Sequence, residues 1–138
     1  MYENPGWAEI SDILRAAHSI AVVGLSEDPG RPSFGVAREL RGFGLRIIPV
    51  NPSLTSPVLG EKPYPSLIEV PKQVDIVDIF RRPEFTPEIA RQAVEIGAGT
   101  LWMQLGVVNG EAAKIAADGG LTVVMDRCLA VDYRSLTL

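Results

Sequence analysis

Short apolar runs alternate along this chain with stretches whose apolar residues return every third or fourth position. Ile20-Ala21-Val22-Val23 reads as a strand buried on both faces, and it stops at Gly24. After a loop rich in Gly, Pro and Ser, residues Phe34, Val36, Ala37, Leu40 and Phe43 recur at helical spacing. Ser33 is placed to cap that helix through its side-chain oxygen, with Gly42 or Gly44 ending it. Ahead of the first strand, Trp7, Ile10, Ile13, Leu14 and Ala17 share one face of a leading helix, within residues 1–18, that packs on the sheet. Arg46-Ile47-Ile48-Pro49-Val50 is a second strand. Its proline removes a ladder donor, which favours an edge, a bulge or a strand end.

The proline-rich residues 51–65 read as a loop, followed by a short helix near Ser66 to Glu69. Val74 to Phe80 is a third strand, and Thr86-Pro87-Glu88 opens a helix running to Gly97. Thr100 to Leu105 is a fourth strand. Asn109 caps a helix from Glu111 to Ala117, and Leu121 to Met125 is a fifth strand. Strands and helices alternating through short loops predict an α/β, Rossmann-like, doubly wound parallel sheet of about five strands with helices on both faces. Residues 1–138 are expected to form a single domain. The expected strand order is 3-2-1-4-5, with the flavodoxin-like 2-1-3-4-5 as the runner-up.

Composition narrows the partners. A net charge of −4 disfavours broad attraction to nucleic acid or acidic membrane surfaces. No apolar run approaches the length of a membrane helix, and the first residues lack the pattern of a secretory signal, so a cytoplasmic protein is expected. One histidine and one cysteine support neither a disulfide framework nor a zinc site.

In a sheet of this kind the ligand lies beyond the carboxyl ends of the strands. That edge collects Gly24 to Phe34, Asn51-Pro52, Phe80-Arg81-Arg82, Gln104 to Val108 and Asp126 to Cys128, and it leaves His18 at the opposite end. The helix after Gly24 points uncompensated N–H groups at this edge, which suits a phosphate. The loop lacks both the dinucleotide glycine fingerprint and a Walker-type phosphate loop. Where NAD-binding sheets carry an acid for the ribose, this chain has Asn51, which holds a ribose without repelling a phosphate on it. CoA therefore suits Asn51 better than NAD does, while NADP stays open through Arg31 or Arg46. Arg81 and Arg82 offer guanidinium groups to a pyrophosphate or 3′-phosphate. Glu27 and Asp28 oppose a phosphate over the outer loop and are expected to face solvent. Asp75 and Asp78 are oddly spaced and face opposite sides of the sheet as structural acids. No catalytic constellation assembles on the ligand edge. Cys128 reads as a small buried hydrophobe, with a mixed disulfide to CoA as the sharper alternative.

The stretches AVVGLSEDPGRPSFGVAREL, RIIPVNP, LGEKPYPSL, VDIVDIFRRPE, LWMQLGVVN and GLTVVMDRC, from Ala21 to Cys128, resemble the small free-standing CoA-binding proteins. Their domain is similar to the N-terminal domain of succinyl-CoA synthetase alpha subunits. The resemblance implies CoA or an acyl-CoA lying across the carboxyl ends of the strands. It implies backbone contacts to the pyrophosphate around Gly24, Leu25 and Ser26, and places Arg31, Pro32, Ser33 and Phe34 at the helix start. It gives Val50, Asn51 and Pro52 the adenosine side, and has Phe80, Arg81 and Arg82 flank the crevice. Gln104, Gly106 and Val107 then lie toward the pantetheine arm. Many relatives carry a histidine after the cysteine, where this chain reads Leu129 to Arg134. In the synthetases the phosphorylated histidine and its supporting acid belong to a second domain and a partner subunit. The expected function is thus non-catalytic binding of CoA or an acyl-CoA. The alternatives are an NAD(P)-binding oxidoreductase or a subunit of a larger acyl-CoA ligase assembly.

Overall fold

The computed structural model describes residues 2–136. Five parallel strands, β1 (Ser19–Val23), β2 (Arg46–Val50), β3 (Ile76–Ile79), β4 (Thr100–Met103) and β5 (Thr122–Val124), form one sheet in the order β2-β1-β3-β4-β5. The helices are α1 (Trp7–Ala16), α2 (Pro32–Gly42), α3 (Thr86–Glu95), α4 (Gly110–Asp118) and α5 (Leu129–Ser135). This is a Rossmann-like sheet. Its order is the runner-up and corrects the expected 3-2-1-4-5.

Pro49 supplies the physical reason. The expected order would place β2 between two neighbours, yet Pro49 has no N–H to give a second ladder. The structure leaves β2 at the edge, pairing with β1 alone in a register that sets Pro49 opposite Val22. Its outer side is covered by the long loop, where Tyr64 N–H donates to Pro49 O and Asn51 N–H donates to Tyr64 O. Residues 51–75 then carry the chain past β1 to its other side.

Strand residues point alternately to two separate cores, as a pleat requires. Ile20, Val22, Ile47, Ile76, Trp102 and Val124 meet Ile10, Leu14, Leu40 and Leu129 of α1, α2 and α5. Ala21, Val23, Val77, Ile79, Leu101 and Met103 meet Ile89 and five alanines of α3 and α4. Trp102 is fully buried, and its indole Nε1 donates to Arg127 O at 2.8 Å. Trp7, expected on the inner face of the leading helix, is instead exposed, since α1 buries only Ile10 and Leu14.

Asn109 caps α4 as expected, its side chain accepting from Ala112 N–H at 2.8 Å. Ser33 does not cap α2. Pro32 occupies the first helical position and makes Arg31 the N-cap, while the Ser33 hydroxyl accepts from Ser26 N–H at 3.0 Å. Helix α5 was not anticipated, although Leu129, Tyr133 and Leu136 follow helical spacing. A 3-10 turn, Pro83–Phe85, likewise precedes α3. The other sheet edge, β5, is shielded by the amino-terminal segment: Asn4 Oδ1 accepts from Met125 N–H, Asn4 Nδ2 donates to Met125 O, and the Tyr2 hydroxyl donates to Val123 O. A side-chain amide thus stands in for the missing strand.

Candidate functional site

The carboxyl edge is built around a close crossing of two loops. Gly24 leaves β1 with φ of +90°, and a Cβ there would collide with the Phe80 carbonyl oxygen and lie 3.0 Å from Arg81 Cδ. Only glycine lets the β1–α2 loop pass under the end of β3. Gly24 N–H donates to Val50 O, and Phe80 N–H donates to Val23 O. The ends of β2, β1 and β3 are therefore held together beneath the start of α2. Of the expected residues, the edge brings together Gly24, Val50, Phe80 and Arg81, with Pro52 beside them.

Two cavities flank Arg81. One, of ≈ 210 Å³, lies on the α3 side between Val50, Pro52, Ser66, Leu67, Phe85 and Ile89. The other, of ≈ 630 Å³, lies on the α2 side and includes Pro32, Phe80, Arg82, Gln104, Gly106 and Val107. Arg81 lines both, and its guanidinium carbon sits 4.7 Å over the Phe85 ring. That stacking orients the cation along the ridge between the two spaces. Arg82 is exposed and pairs loosely with Glu84 at 3.9 Å. The smaller cavity's walls at Ser66, Leu67, Phe85 and Ile89 were not read as site residues. Their signal was the proline-rich turn before Ser66, whose return to the strand ends depends on a tertiary contact at Tyr64.

Several expected ligand groups already serve the protein. Asn51 Nδ2 donates to Leu25 O, and Asn51 Oδ1 accepts from both the N–H and the hydroxyl of Ser53. The carbonyl is thereby satisfied, leaving one amide hydrogen for a ribose. Ser26 and Ser33 are bonded to each other, and the Ser26 hydroxyl accepts from Asp28 N–H. Gln104 is buried, with Oε1 accepting from Leu129 N–H and so capping the start of α5. Gly106 N–H donates to Asp126 Oδ1 at 2.8 Å. Leu25 is fully buried, Phe34 is half-buried, and Arg31 is exposed at the α2 N-cap. Glu27 and Asp28 face solvent, with Asp28 Oδ1 accepting from Gly30 N–H. Cys128 is half-buried on the wall of the larger cavity rather than in the core.

The two aspartates diverge. Asp75 lies just before β3, where Oδ2 accepts from His18 and Ser19 N–H at 2.7 and 3.1 Å. Asp78 is fully buried between Val22 and Trp102 in register, and neither oxygen has a hydrogen-bond partner among the described residues. Burial raises its pKa well above the usual carboxylate value, which favours the protonated acid. Among the described residues no cluster of His, Cys, Asp or Glu is arranged to hold a metal ion, and no helix is long and apolar enough to cross a membrane.

A family model described as a CoA binding domain matches residues 18–134. The chain belongs to this CoA-binding domain family. It is 43% identical over 131 residues to the uncharacterized protein YneT of Bacillus subtilis, covering 95% of this chain and 96% of YneT. It is 35% identical over 81 residues to the acetate–CoA ligase (ADP-forming) II of Archaeoglobus fulgidus, covering 57% of this chain and 12% of the ligase. The domain is thus related to a small part of a much longer enzyme. A hypothetical protein from Pyrococcus horikoshii OT3 superposes with a TM-score of 0.92 at 35% identity, covering 100% of both chains.

Proposed function

We propose that this protein binds CoA or an acyl-CoA across the carboxyl edge of its sheet and performs no chemistry on it. The observation that carries the reading is the junction of Gly24, the start of α2 and Arg81 between two cavities. A backbone without a side chain at Gly24, the positive end of the α2 dipole and a guanidinium alongside form a suitable cradle for a pyrophosphate, while Pro32 has no N–H and the Phe34 and Gly35 amides donate to Arg31 O. The smaller cavity beside Val50 and Pro52 suits the adenosine side, and the larger one beside Gln104 to Val107 suits the pantetheine arm. Asn51 in place of an acid removes the like-charge contact that a phosphorylated ribose would otherwise meet. When bound, CoA contributes only its thiol or thioester; this chain's own residues hold and orient it. The belonging of residues 18–134 to a CoA-binding family supports the same ligand.

Calorimetric titration of the purified protein, stripped of any bound nucleotide, with CoA, dephospho-CoA and NADH tests the reading. Saturable CoA binding, weaker without the 3′-phosphate and absent for NADH, is the expected result. Silence toward CoA overturns it, and micromolar NADH binding favours the dinucleotide alternative.

A further inference from the structure

We infer that the ≈ 630 Å³ cavity on the α2 side takes an apolar acyl group carried on the ligand's thioester, which makes an acyl-CoA with an uncharged chain the preferred guest. The inference rests on the CoA reading and adds the chemical class of the acyl group. The cavity adjoins the smaller one at Val50 and Pro52, with Arg81 as the wall they share. Its volume exceeds that of the smaller cavity threefold (≈ 630 against ≈ 210 Å³) and falls in the ordinary range of small-ligand sites.

The walls decide the chemistry. Val36, Phe80, Pro83, Leu105, Val107 and Cys128 present hydrocarbon or sulfur. Leu105 stands 65% exposed and Val108 beside it 52% exposed, an apolar surface left in water at this lip. Among the described residues no carboxylate lines the space, and the one side-chain amide on its wall, Gln104, has its carbonyl committed to Leu129 N–H. A polar or hydrated acyl group would find little to bond there, whereas each methylene placed against these walls leaves water. Arg81 and Arg82 also border the cavity, and they define the competing class, a carboxylated acyl group. Arg81 is assigned to the pyrophosphate in the CoA reading, and Arg82 is exposed at the rim, 3.9 Å from Glu84, so the carboxylated class is the one the titration must separate from the apolar one.

The test is calorimetric titration of the full chain with CoA, acetyl-CoA, butanoyl-CoA, hexanoyl-CoA and succinyl-CoA. Affinity should rise from acetyl to hexanoyl by up to about fourfold per methylene, the equivalent of ~0.8 kcal/mol each. Succinyl-CoA should bind more weakly than butanoyl-CoA. In Leu105→Glu, an exposed substitution that the fold tolerates, the ratio of hexanoyl-CoA to CoA affinity should fall about threefold or more. A flat series in a protein that binds CoA overturns the acyl site and leaves the CoA reading standing. Succinyl-CoA binding more tightly than butanoyl-CoA overturns it in favour of acid recognition. Silence toward every ligand, CoA included, overturns both.

Discussion

At the amino end of the sheet His18, Arg46 and Lys72 line a cavity of ≈ 350 Å³; at the carboxyl end Arg81 and Arg82 line one of ≈ 630 Å³. Both ends offer cations and room. They differ in the backbone. Helices α2, α3, α4 and α5 each follow a strand and begin at the carboxyl end, so that end gathers helix N-termini and their partial positive charge. Helices α1, α2, α3 and α4 finish at the amino end, where carbonyl groups and Asp75 make the environment unfavourable to an anion. There Asp75 closes the turn at His18 and Ser19, and the Ser19 hydroxyl donates to Gln73 O. Basic side chains alone therefore do not distinguish the two ends. The direction of the chain through the sheet does.

The strongest way to break this contrast is at Gly24. Gly24→Ala should cost about 2–5 kcal/mol, combining a strained positive φ with a backbone overlap at Phe80. Urea denaturation reads it, and a loss below about 0.5 kcal/mol would show that the loop crossing is not the constraint described here. Next in size is a matched pair of charge deletions. Arg81→Ala should weaken CoA binding about 10- to 100-fold, whereas Lys72→Ala at the other end should change it less than about twofold. Equal effects would erase the distinction between the two ends.

The third prediction concerns the middle of the same strand. Asp78 is a buried carboxyl without a partner, so Asp78→Val should stabilise the protein by about 1–3 kcal/mol at neutral pH. The sign with pH follows from its raised folded pKa. Unfolded, the group ionises above about pH 3.9, while folded it keeps its proton. The native state then binds more protons, and stability falls as pH rises from there toward the folded pKa. The gap between variant and parent should therefore narrow below about pH 4 and widen above it in denaturation curves taken across pH. A gap independent of pH would mean that burial leaves the folded pKa of Asp78 at its unfolded value.

Much of the architecture was legible because burial imposes period on the chain. The five apolar runs and the apolar spacing of Ile10, Leu14, Ala37 and Leu40 mark strands and helices without reference to any partner. Pro49 even carried the correct place of β2, since a missing N–H is a local fact, although the default order was preferred to it. The site was less legible. Asn51, Ser33 and Gln104 lie at the carboxyl edge, and their side chains are engaged with Ser53, Ser26 and Leu129. A sequence shows what a polar group can bond, and only the fold shows whether something else has reached it first.

The sequence by itself determined the element types, the parallel alternation of strand and helix, the glycine turn after β1 and the absence of an acid where a dinucleotide sheet would carry one. These depend on residues within a few positions of one another. The tertiary structure decided the strand order, the shielding of β5 by Asn4, the burial of Asp78 and the two cavities that share Arg81 at the carboxyl edge. Each of those joins segments far apart in the chain. No local pattern records such encounters, because their free energy comes from packing and from partners that exist only once the sheet has closed.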